Sequence, residues 1–423
     1  MRIAFEGISR PIELVGCAHL QAYLADVLPG WPFAEVAATK AEPIIRIVRQ
    51  DDRGCRLESP WLAEPFRDDT DVGIVCAFVL DLIAAYVAER PSLFCLHAAA
   101  AELGGRLVVF PSSYHAGKST LVARLAAAGV PVHTDDVLAV TNAAERGVAL
   151  GVAPRLRLPL PRGADRRFRA FVASHRGRSN RRYLYLNLPP GTVAPHGRQT
   201  PIGGFVLLDR QPEGPAELVP ASKGQVLQRV IVQHFARSMA ATEIVDRLRG
   251  LVERVPCFSL RYARLDEAAG LLQEYFSAWP ASGAHEEKAP AHYPGIVPWQ
   301  GAGAGGIWPR SGDAAVVPRF QQSPAVVLHA VDDDLFLVDR RTQSIYHLNL
   351  VGAGLWRLLE QPSTAAQAID VLRAAFPSAD PERIEGDVTA LLDDLLANDL
   401  IVAQNAGAAA GQRRPSMSRL AGG

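Results

Sequence analysis

Apolar residues recur along this chain with two different periods, which predicts a protein that mixes helices and strands. Between residues 72 and 89 they recur at helical spacing, and the pattern stops before Pro91, so a long helix is expected there. Short apolar runs bounded by turn-forming residues predict strands. The clearest of these runs are 44–48, 54–57, 93–100, 183–186 and 204–208, and helical spacing returns at 225–237 and 241–251.

One stretch, residues 106–140, places its elements in an order with chemical meaning. An apolar strand leads into the run AGKST at residues 116–120, an apolar-faced helix follows as far as Gly129, and a second strand ends at Asp135 and Asp136. A strand, a turn of free backbone N–H groups, a lysine and a hydroxyl at the start of a helix are the parts of a phosphate-binding loop. The two aspartates add a metal ligand and a proton acceptor, which phosphoryl transfer also requires.

The loop departs from the full phosphate-binding pattern at one position. Ser112 stands where the pattern G-x-x-x-x-G-K-[ST] has its first glycine, whose positive φ opens the turn. The competing interpretation is an ordinary helix start, but the coincidence of strand, loop, helix and distal carboxylates favours phosphate binding. Lys118 supports the phosphate-binding interpretation, because the chain has only four lysines and uses arginine for its other basic residues. The predicted nucleotide-binding residues are Ser112, Ser113, Tyr114, His115, Ala116, Gly117, Lys118, Ser119 and Thr120.

The character of the chain changes after residue 276. A stretch rich in Pro, Gly, Ala and Ser follows, which is typical of a flexible linker because it cannot bury enough apolar surface to offset its ordering entropy. A folded pattern then returns before a final polar tail. The predicted parts are an N-terminal α+β region at 1–90 packed on a domain at 91–276, a linker at 277–323, a small module at 324–402 and a disordered tail at 403–423.

The small module has clear local signals. Three strands are expected first, at 325–330, 335–339 and 344–348, and three helices follow. Thr364 and Gln367 have the spacing of a capping box, and Pro381 stands at a first helical position. Because roughly eighty residues with an apolar helix stripe can bury a core, the module is expected to fold as an α+β domain.

Composition narrows the class of protein. The 423 residues are 48% hydrophobic, and 44 basic residues balance 44 acidic ones, so nucleic acid is not an expected partner. The pattern shows no apolar run of membrane-spanning length and no signal peptide, so a cytoplasmic protein with no membrane span is expected. The five cysteines form no C-x-x-C pair, which favours buried thiols over disulfides or zinc.

Residues 96–136 resemble the HPr kinase/phosphorylase family and its bacterial relatives. The resemblance rests on the run LHA at 96–98, the AGKST loop and the paired aspartates. It implies an α/β P-loop kinase-like domain, of the HPr kinase C-terminal-domain type, that uses ATP and Mg²⁺. It implies catalytic roles for His97, Lys118, Asp135 and Asp136, with Asp135 preferred as general base, and metal ligation by Ser119 and Asp136.

Two departures separate the chain from that family. Ser112 replaces the leading glycine, and the glycine-rich signature that the enzyme carries further along is missing, so HPr protein is not the expected substrate. The chain looks more like the shorter kinases of ribosomal-peptide biosynthesis clusters, including those of lasso peptides.

Ten arginines lie between residues 155 and 182, and they indicate either a solvated region or phosphate ligands, with Arg157, Arg181 and Arg182 as candidates.

The small module resembles PqqD, the precursor-peptide recognition element of such pathways. The resemblance rests on the runs DLFLVD at 334–339, SIYHLN at 344–349 and GAGLW at 352–356. It implies a winged-helix-like α+β domain in which a leader peptide adds as a strand beside the third strand and packs against the helix at 383–397. The expected peptide-binding residues are Ser344, Ile345, Tyr346, His347 and Leu348.

Three functional hypotheses follow from these features. The first is an ATP-dependent kinase that phosphorylates a serine or threonine hydroxyl of a ribosomally synthesised precursor peptide, which the PqqD-like module captures and which other modification enzymes also act on. The second is a nucleotide-responsive carrier without transferase activity, which delivers the precursor to another enzyme. The third is an ATPase that activates a peptide carboxylate as an acyl phosphate, and it differs from the first in the acceptor group.

Overall fold

The computed structural model describes most of the chain outside the predicted linker and tail. The described residues are 1–37, 40–50, 54–111, 116–141, 145–161, 163–232, 239–279, 318–375 and 380–404. The chain divides into two compact units. The first contains Met1–Met239 and Asp246–Pro290, and the second contains Ala240–Val245 and Ala291–Gly423.

The first unit begins with a sheet of six strands and two helices. The strands are β1 Arg2–Phe5, β2 Ile12–Val15, β3 Phe33–Val36, β4 Ile45–Arg49, β5 Cys55–Glu58 and β6 Phe66–Asp68, and the helices are α1 Leu20–Val27 and α2 Asp71–Ala88. In the sheet the strand order is β3–β1–β2–β4–β5–β6. Strands β4 and β5, which lie at the predicted runs 44–48 and 54–57, pair antiparallel with Ile47 opposite Leu57.

Helix α2 is the long helix predicted at 72–89. It begins where the Thr70 hydroxyl accepts a hydrogen bond from the Gly73 N–H at 3.0 Å. Its 18 residues are long and apolar enough to cross a membrane, so the expectation that no run reaches that length is wrong. Of that window 67% is buried inside the structure, as in the core helix of a globular unit.

The remainder of the first unit follows in chain order. Its strands are β7 Leu93–Leu96, β8 Ala99–Leu103, β9 Arg106–Phe110, β10 Val132–Thr134, β11 Leu138–Thr141, β12 Arg146–Val148, β13 Arg155–Arg157, β14 Arg176–Ser179, β15 Tyr183–Leu186, β16 Gln199–Arg210, β17 Glu217–Pro220 and β18 Cys257–Tyr262. Its helices are α3 Lys118–Ala126, α4 Arg166–Ser174, α5 Lys223–Val232, α6 Ala241–Arg254 and α7 Leu265–Phe276, although residues 241–245 of α6 belong to the second unit.

A nine-stranded mixed sheet organises this part of the chain. Its path is β10–β8–β9–β16–β12–β11–β7, and β18 joins beside β16 and β17. Strand β9 is parallel to β16, which is parallel to β18, whereas β8 and β9 form an antiparallel hairpin. Strands β13, β15 and β14 form a separate small sheet in that order. Helix α3 therefore follows directly from a strand inside the large sheet, as the sequence predicted.

The single strand expected at 93–100 is two strands in the structure. Strand β7 ends at Leu96 and pairs with β11, and β8 starts at Ala99 and pairs with β9. The chain passes between these two sheet positions at His97 and Ala98, where Ala98 donates its N–H to the Leu96 carbonyl at 2.9 Å. His97 therefore lies at the carboxyl end of a strand rather than in the middle of one.

The N-terminal region and the large sheet share one hydrophobic core. Trp31 and Phe78 belong to the same buried cluster as Val137, Ala139 and Leu150. Since apolar surface removed from water is worth about 25 cal/mol per Å², this shared burial holds the two parts together. The prediction that residues 1–90 pack on the domain that follows is consistent with this cluster.

The second unit contains five strands and three helices in its described residues. These are β19 Arg319–Gln322, β20 Val326–Val331, β21 Asp334–Asp339, β22 Ile345–Leu348, α8 Leu350–Leu358, α9 Ala365–Ala375, α10 Pro381–Ala397 and β23 Ile401–Gln404. Strands β20, β21 and β22 form an antiparallel sheet in that order, and β19 pairs with β23. The core includes Phe320, Leu337, Trp356 and Leu392.

The predicted boundaries of the small module are too narrow. Strand β19 lies in the segment assigned to the linker, which ran to residue 323, and β23 extends two residues into the assigned tail. The local helix signals are confirmed, because Thr364 and Gln367 exchange the two hydrogen bonds of a capping box at 3.0 and 3.2 Å. The linker and tail residues 280–317 and 405–423 lie outside the described residues.

The buried side chain of His133 is expected to make the protein less stable in mild acid. Burial lowers its pKa to about 4, against the attraction of Glu102. The folded state therefore favours the neutral ring, and its contribution is present above the unfolded pKa of about 6.5 and is lost as pH falls from there toward 4. We expect this residue alone to remove about 1–2 kcal/mol of unfolding free energy between pH 7 and pH 5.

Urea unfolding followed by circular dichroism at the two pH values checks this prediction. His133→Gln should reduce the difference between pH 7 and pH 5, whereas His175→Gln, which changes a half-buried histidine at the end of α4, should keep it. An unchanged difference in the His133 variant would contradict the assignment.

Candidate functional site

The start of α3 depends on a glycine. Gly117 has a φ of +93°, and it precedes the first helical residue, Lys118. A Cβ at this glycine would lie 3.2 Å from the Tyr262 hydroxyl, which itself donates to the Ala116 carbonyl at 3.5 Å. The turn is therefore available to glycine and strained for other residues. The predicted loop residues Ser112, Ser113, Tyr114 and His115 lie outside the described residues.

Lys118 is a buried cation. The residue is only 7% exposed, and a lysine buried to this extent almost always has a polar or charged partner. Burial lowers the pKa of its ammonium group, and the negative charges of Asp136 and Asp135 act in the opposite direction. The structure brings this lysine within electrostatic range of both aspartates. Thr120 is half-buried in the first turn of the same helix.

A tight turn at the end of β10 positions the two aspartates. The Thr134 hydroxyl accepts hydrogen bonds from the backbone N–H groups of Asp136 and Val137, both at 3.1 Å. A threonine that bonds the backbone two and three residues ahead fixes a turn of this kind. The carboxylates therefore leave the end of the strand in set directions.

Asp136 lies between the His97 ring and the Arg155 guanidinium group. Its Oδ1 is 3.1 Å from His97 Nε2, and its Oδ2 accepts a hydrogen bond from Arg155 Nη2 at 3.0 Å. Burial pushes its pKa upward, but the hydrogen bond from His97 and the charges of Arg155 and Lys118 outweigh burial and hold the pKa below its usual value. Asp136 is therefore ionised in neutral solution.

Asp135 is the more buried member of the pair. It is 4% exposed, and its Oδ2 accepts a hydrogen bond from the Arg155 backbone N–H at 3.1 Å. Burial raises its pKa to about 6, the charge of Asp136 adds to the rise, and hydrogen bonds from Ser119 and Arg155 oppose it. Ser119, the predicted metal-ligating hydroxyl, is thus bonded to Asp135, whereas the sequence paired it with Asp136.

The sequence analysis proposed Arg157, Arg181 and Arg182 as candidate phosphate ligands and did not identify Arg155 as a site residue. It contacts both aspartates, one through its backbone and one through its guanidinium group. Nothing in the local pattern marks it, because its role depends on β13 being placed next to the end of β10. Behind it is a cavity of about 20 Å³, large enough for one water, whose polar lining includes Asp135, Asp136 and Tyr185.

The oxygen-rich surroundings of Ser119 suit magnesium better than a transition metal. A hydroxyl and one or two carboxylates, completed by phosphate oxygens and water, are the ligands that Mg²⁺ uses in proteins. Among the described residues there is no group of three or more His, Cys, Asp or Glu side chains that could hold a metal ion. The five cysteines are free and buried, in agreement with the sequence analysis.

Within the described residues of the second unit, one strand is paired along only one side. Strand β22 ends the three-stranded sheet, and Tyr346 lies opposite Leu337 on β21. Asp339 donates its N–H to the Ser344 carbonyl, so alternation along the antiparallel pair turns the backbone groups of Ile345 and His347 outward. Of the predicted peptide-binding residues, Ile345, Tyr346, His347 and Leu348 form the strand and Ser344 precedes it.

Side chains next to this edge are held by polar contacts. His347 Nε2 is 2.9 Å from Asp334 Oδ1, and the Tyr346 hydroxyl donates to Asn398 Oδ1 at 3.3 Å at the end of α10. These contacts fix the strand against β21 and α10, so the edge is presented in one conformation.

Comparison with known proteins identifies the second unit. Residues 334–401 match the family described as Coenzyme PQQ synthesis protein D (PqqD). The C-terminal part of the chain is therefore a PqqD-like domain, and the strands and helices β21–β22 and α8–α10 fall within it. The match leaves the first unit unassigned.

The chain was also compared with solved structures and with curated proteins. The solved structure "TbiB1 in Complex with the TbiA(beta) Leader Peptide" is 30% identical in sequence over 19% of this chain and 93% of that chain, with a TM-score of 0.18. No curated protein matches the chain.

Two glycine substitutions test the packing at the start of α3. Gly117→Ala should destabilise the protein by about 1–2 kcal/mol from backbone strain alone, and by more through the contact with Tyr262. Gly129→Ala is the matched control, because Gly129 also has positive φ but a Cβ there would meet nothing within 4 Å.

Thermal and urea unfolding of a double-mutant cycle separates the backbone strain at residue 117 from the contact with Tyr262. Tyr262→Phe should partly relieve Gly117→Ala and leave Gly129→Ala unchanged. Strict additivity of Tyr262→Phe with Gly117→Ala would contradict the contact.

Proposed function

We propose that the protein is an ATP-dependent kinase that phosphorylates a serine or threonine hydroxyl of a ribosomally synthesised precursor peptide, which its PqqD-like domain captures. The observation that carries the proposal is the arrangement of a buried Lys118, at a glycine-started helix, facing the Asp135–Asp136 pair. A cation at a helix N-terminus attracts phosphate, and two carboxylates of different pKa suit phosphoryl transfer to a hydroxyl.

The residues fit the nucleotide and its metal by their chemistry. Lys118 and the N–H groups at the start of α3 would hold terminal phosphates, and Ser119 and Asp136 would hold magnesium, with Asp135 beside them through its bond to Ser119. Bound ATP and magnesium supply the phosphoryl group and neutralise its charge.

The two carboxylates divide the remaining work by charge state. Asp136, held ionised between His97 and Arg155, keeps a fixed negative charge toward the metal. Asp135 has its pKa raised to about 6, close to the pH at which a general base exchanges protons readily. In this proposal it accepts the proton of the acceptor hydroxyl, and Arg155 orients both groups.

Peptide capture is assigned to the PqqD-like domain. The free side of β22 offers outward backbone groups at Ile345 and His347, which is what an added peptide strand needs. Tethering a leader there raises the effective concentration of the rest of the peptide near the kinase residues.

The second candidate is a carrier that binds the precursor without transferring phosphate. The family match supports it, since that match covers only the domain at 334–401. The two candidates differ in whether a phosphate-sized mass increase appears on the precursor after incubation with ATP and magnesium.

Lys118→Ala should abolish phosphorylation and leave leader binding intact. Loss of the buried ammonium group removes charge compensation for the phosphates, and we expect transfer to fall at least about a hundredfold. Lys223→Ala, which removes a lysine at the start of α5, is the matched control. Mass spectrometry of the precursor measures transfer, and anisotropy of a labelled leader measures binding; near wild-type transfer by the Lys118 variant would rule out the assignment.

His347→Pro should weaken leader binding while preserving the domain. The His347 N–H points outward, so proline removes a donor for the added strand without breaking the β21–β22 ladder. We expect a loss of about tenfold in affinity, equivalent to one backbone hydrogen bond and its neighbours. The control is Val371→Ala, which removes an exposed side chain of α9, a helix to which no leader contact is assigned. Full binding by the proline variant would argue against capture at this edge.

A further inference from the structure

Four parallel strands of the large sheet end at the same edge as the candidate site. Strand β9 is parallel to β16, and β16 is parallel to β18. Because β10 and β9 both pair antiparallel with β8, β10 runs in the same direction as the other three. The carboxyl ends of all four strands therefore lie at one edge, which is where ligands bind in open α/β sheets.

Strands β16 and β18 extend past the end of β9. Strand β9 ends at Phe110, one residue beyond Val109, which pairs with Phe205 of β16. Strand β16 continues from Phe205 to Arg210, and Arg210 pairs with Tyr262 at the end of β18. At the usual rise of a strand, the two strands reach roughly 13 Å beyond β9. We call their ends, residues 208–210 and 260–262, the β16–β18 wall.

The wall places Arg210 on the same face of the sheet as α3. Side chains alternate along a strand, so Arg210 and Tyr262 share one face, and Asp209 and Arg261 share the other. Tyr262 belongs to the buried cluster that contains the apolar residues of α3. Its hydroxyl donates to the Ala116 carbonyl at 3.5 Å. Arg210 is therefore the strand neighbour of the side chain that touches the loop ahead of α3.

Arg210 carries a charge that no described carboxylate neutralises. Its side chain is exposed, and it forms no ion pair within 4.0 Å in the part of the chain that the structure describes. A Cβ at Gly163 would lie 3.3 Å from Arg210 Nη2, so this backbone approaches the guanidinium group closely. Burial raises the pKa of Tyr262, and the charge of Arg210 opposes the rise. The guanidinium group thus lies near both Gly163 and the Tyr262 hydroxyl, beside the loop.

The wall and the aspartates flank this loop from opposite sides. Strand β10, which precedes the aspartates, lies two strand positions from β9 on one side, and β16 is the neighbour on the other. The proposed function directs the terminal phosphate and its magnesium toward the aspartates. A nucleotide that lies across the start of α3 in this direction has its nucleoside end toward β16 and β18.

We propose that Arg210 binds the nucleoside half of ATP, with its planar guanidinium group stacked on the base. The inference rests on the proposed function, because it needs a nucleotide at the start of α3, and it assigns the direction in which that nucleotide lies. A guanidinium group stacks on aromatic faces and is weakly hydrated, so an exposed arginine suits a base. Lys118 and Arg210 then serve opposite ends of one ligand.

Calorimetry of the full-length protein with two ligands in the presence of Mg²⁺ tests this direction. The ligands are ATP and inorganic tripolyphosphate, which has the phosphates without the nucleoside. Arg210→Ala should weaken ATP binding about tenfold and leave tripolyphosphate binding unchanged. Arg210→Lys should recover little of the loss, because lysine keeps the charge and lacks the planar group. Lys118→Ala should weaken the binding of both ligands.

The matched control is Arg261→Ala, which removes an exposed arginine from the neighbouring strand on the opposite face of the wall. It should bind both ligands as the wild type does. Unchanged ATP binding by Arg210→Ala, an equal loss for ATP and tripolyphosphate, or full recovery by Arg210→Lys would overturn the inference. Circular dichroism verifies the folding of each variant, and the lysine variant provides the comparison if the alanine variant unfolds.

The same variants distinguish a failure of this inference from a failure of the proposed function. Weaker leader binding by Arg210→Ala with intact ATP binding would assign the arginine to the peptide, and the inference alone would be wrong. If the wild type bound neither ATP nor tripolyphosphate, both would be wrong. Arg210-dependent ATP binding without a phosphate-sized mass increase on the precursor would support the inference and refute the kinase.

Discussion

The candidate site depends on the compensation of two adjacent carboxylates, of which Asp135 is buried and Asp136 is half-buried. Two like charges on neighbouring residues in a low-dielectric environment repel strongly, and they can stay together only if cations surround them. Lys118 and Arg155 provide this compensation from different elements, one from a helix start and one from a separate small sheet. Their convergence keeps one carboxylate ionised and leaves the other with a raised pKa, and the proposed chemistry depends on that difference.

The surrounding fold explains how this compensation is achieved. Strand β10 ends in a turn that Thr134 fixes, so the direction of the aspartates is independent of the cations. The break after β7 places His97 beside one carboxylate oxygen of Asp136, Oδ1. Arg155 contacts the second oxygen, Oδ2. The partners come from different elements, so the site is complete only when helix α3, the small sheet and the strands of the large sheet have come together.

Local sequence patterns predicted the elements well. The order of strand, AGKST run, helix and paired aspartates is visible because each element has its own period or turn residue. The same holds for the capping box at Thr364 and the proline-started helix α10. The PqqD-like assignment of the C-terminal residues is confirmed by the family match.

Features set by distant pairing could not be predicted in this way. No glycine or proline marks the strand break at His97 in the sequence. The break arises because β7 and β8 pair with different neighbouring strands. Strands β19 and β23 are short and half polar, and they become strands only by pairing with each other across the domain. The role of Arg155 likewise follows from tertiary placement, so only the arginine-rich stretch as a whole was visible.

Helix α2 has a consequence for how the protein can be divided. Its residues pack in one cluster with strands of the large sheet, and its solvent-reaching side closes the cavity beside Asp136. The first ninety residues are therefore not a detachable accessory, because a chain that began at residue 91 would expose to solvent the apolar residues of the large sheet that this cluster covers.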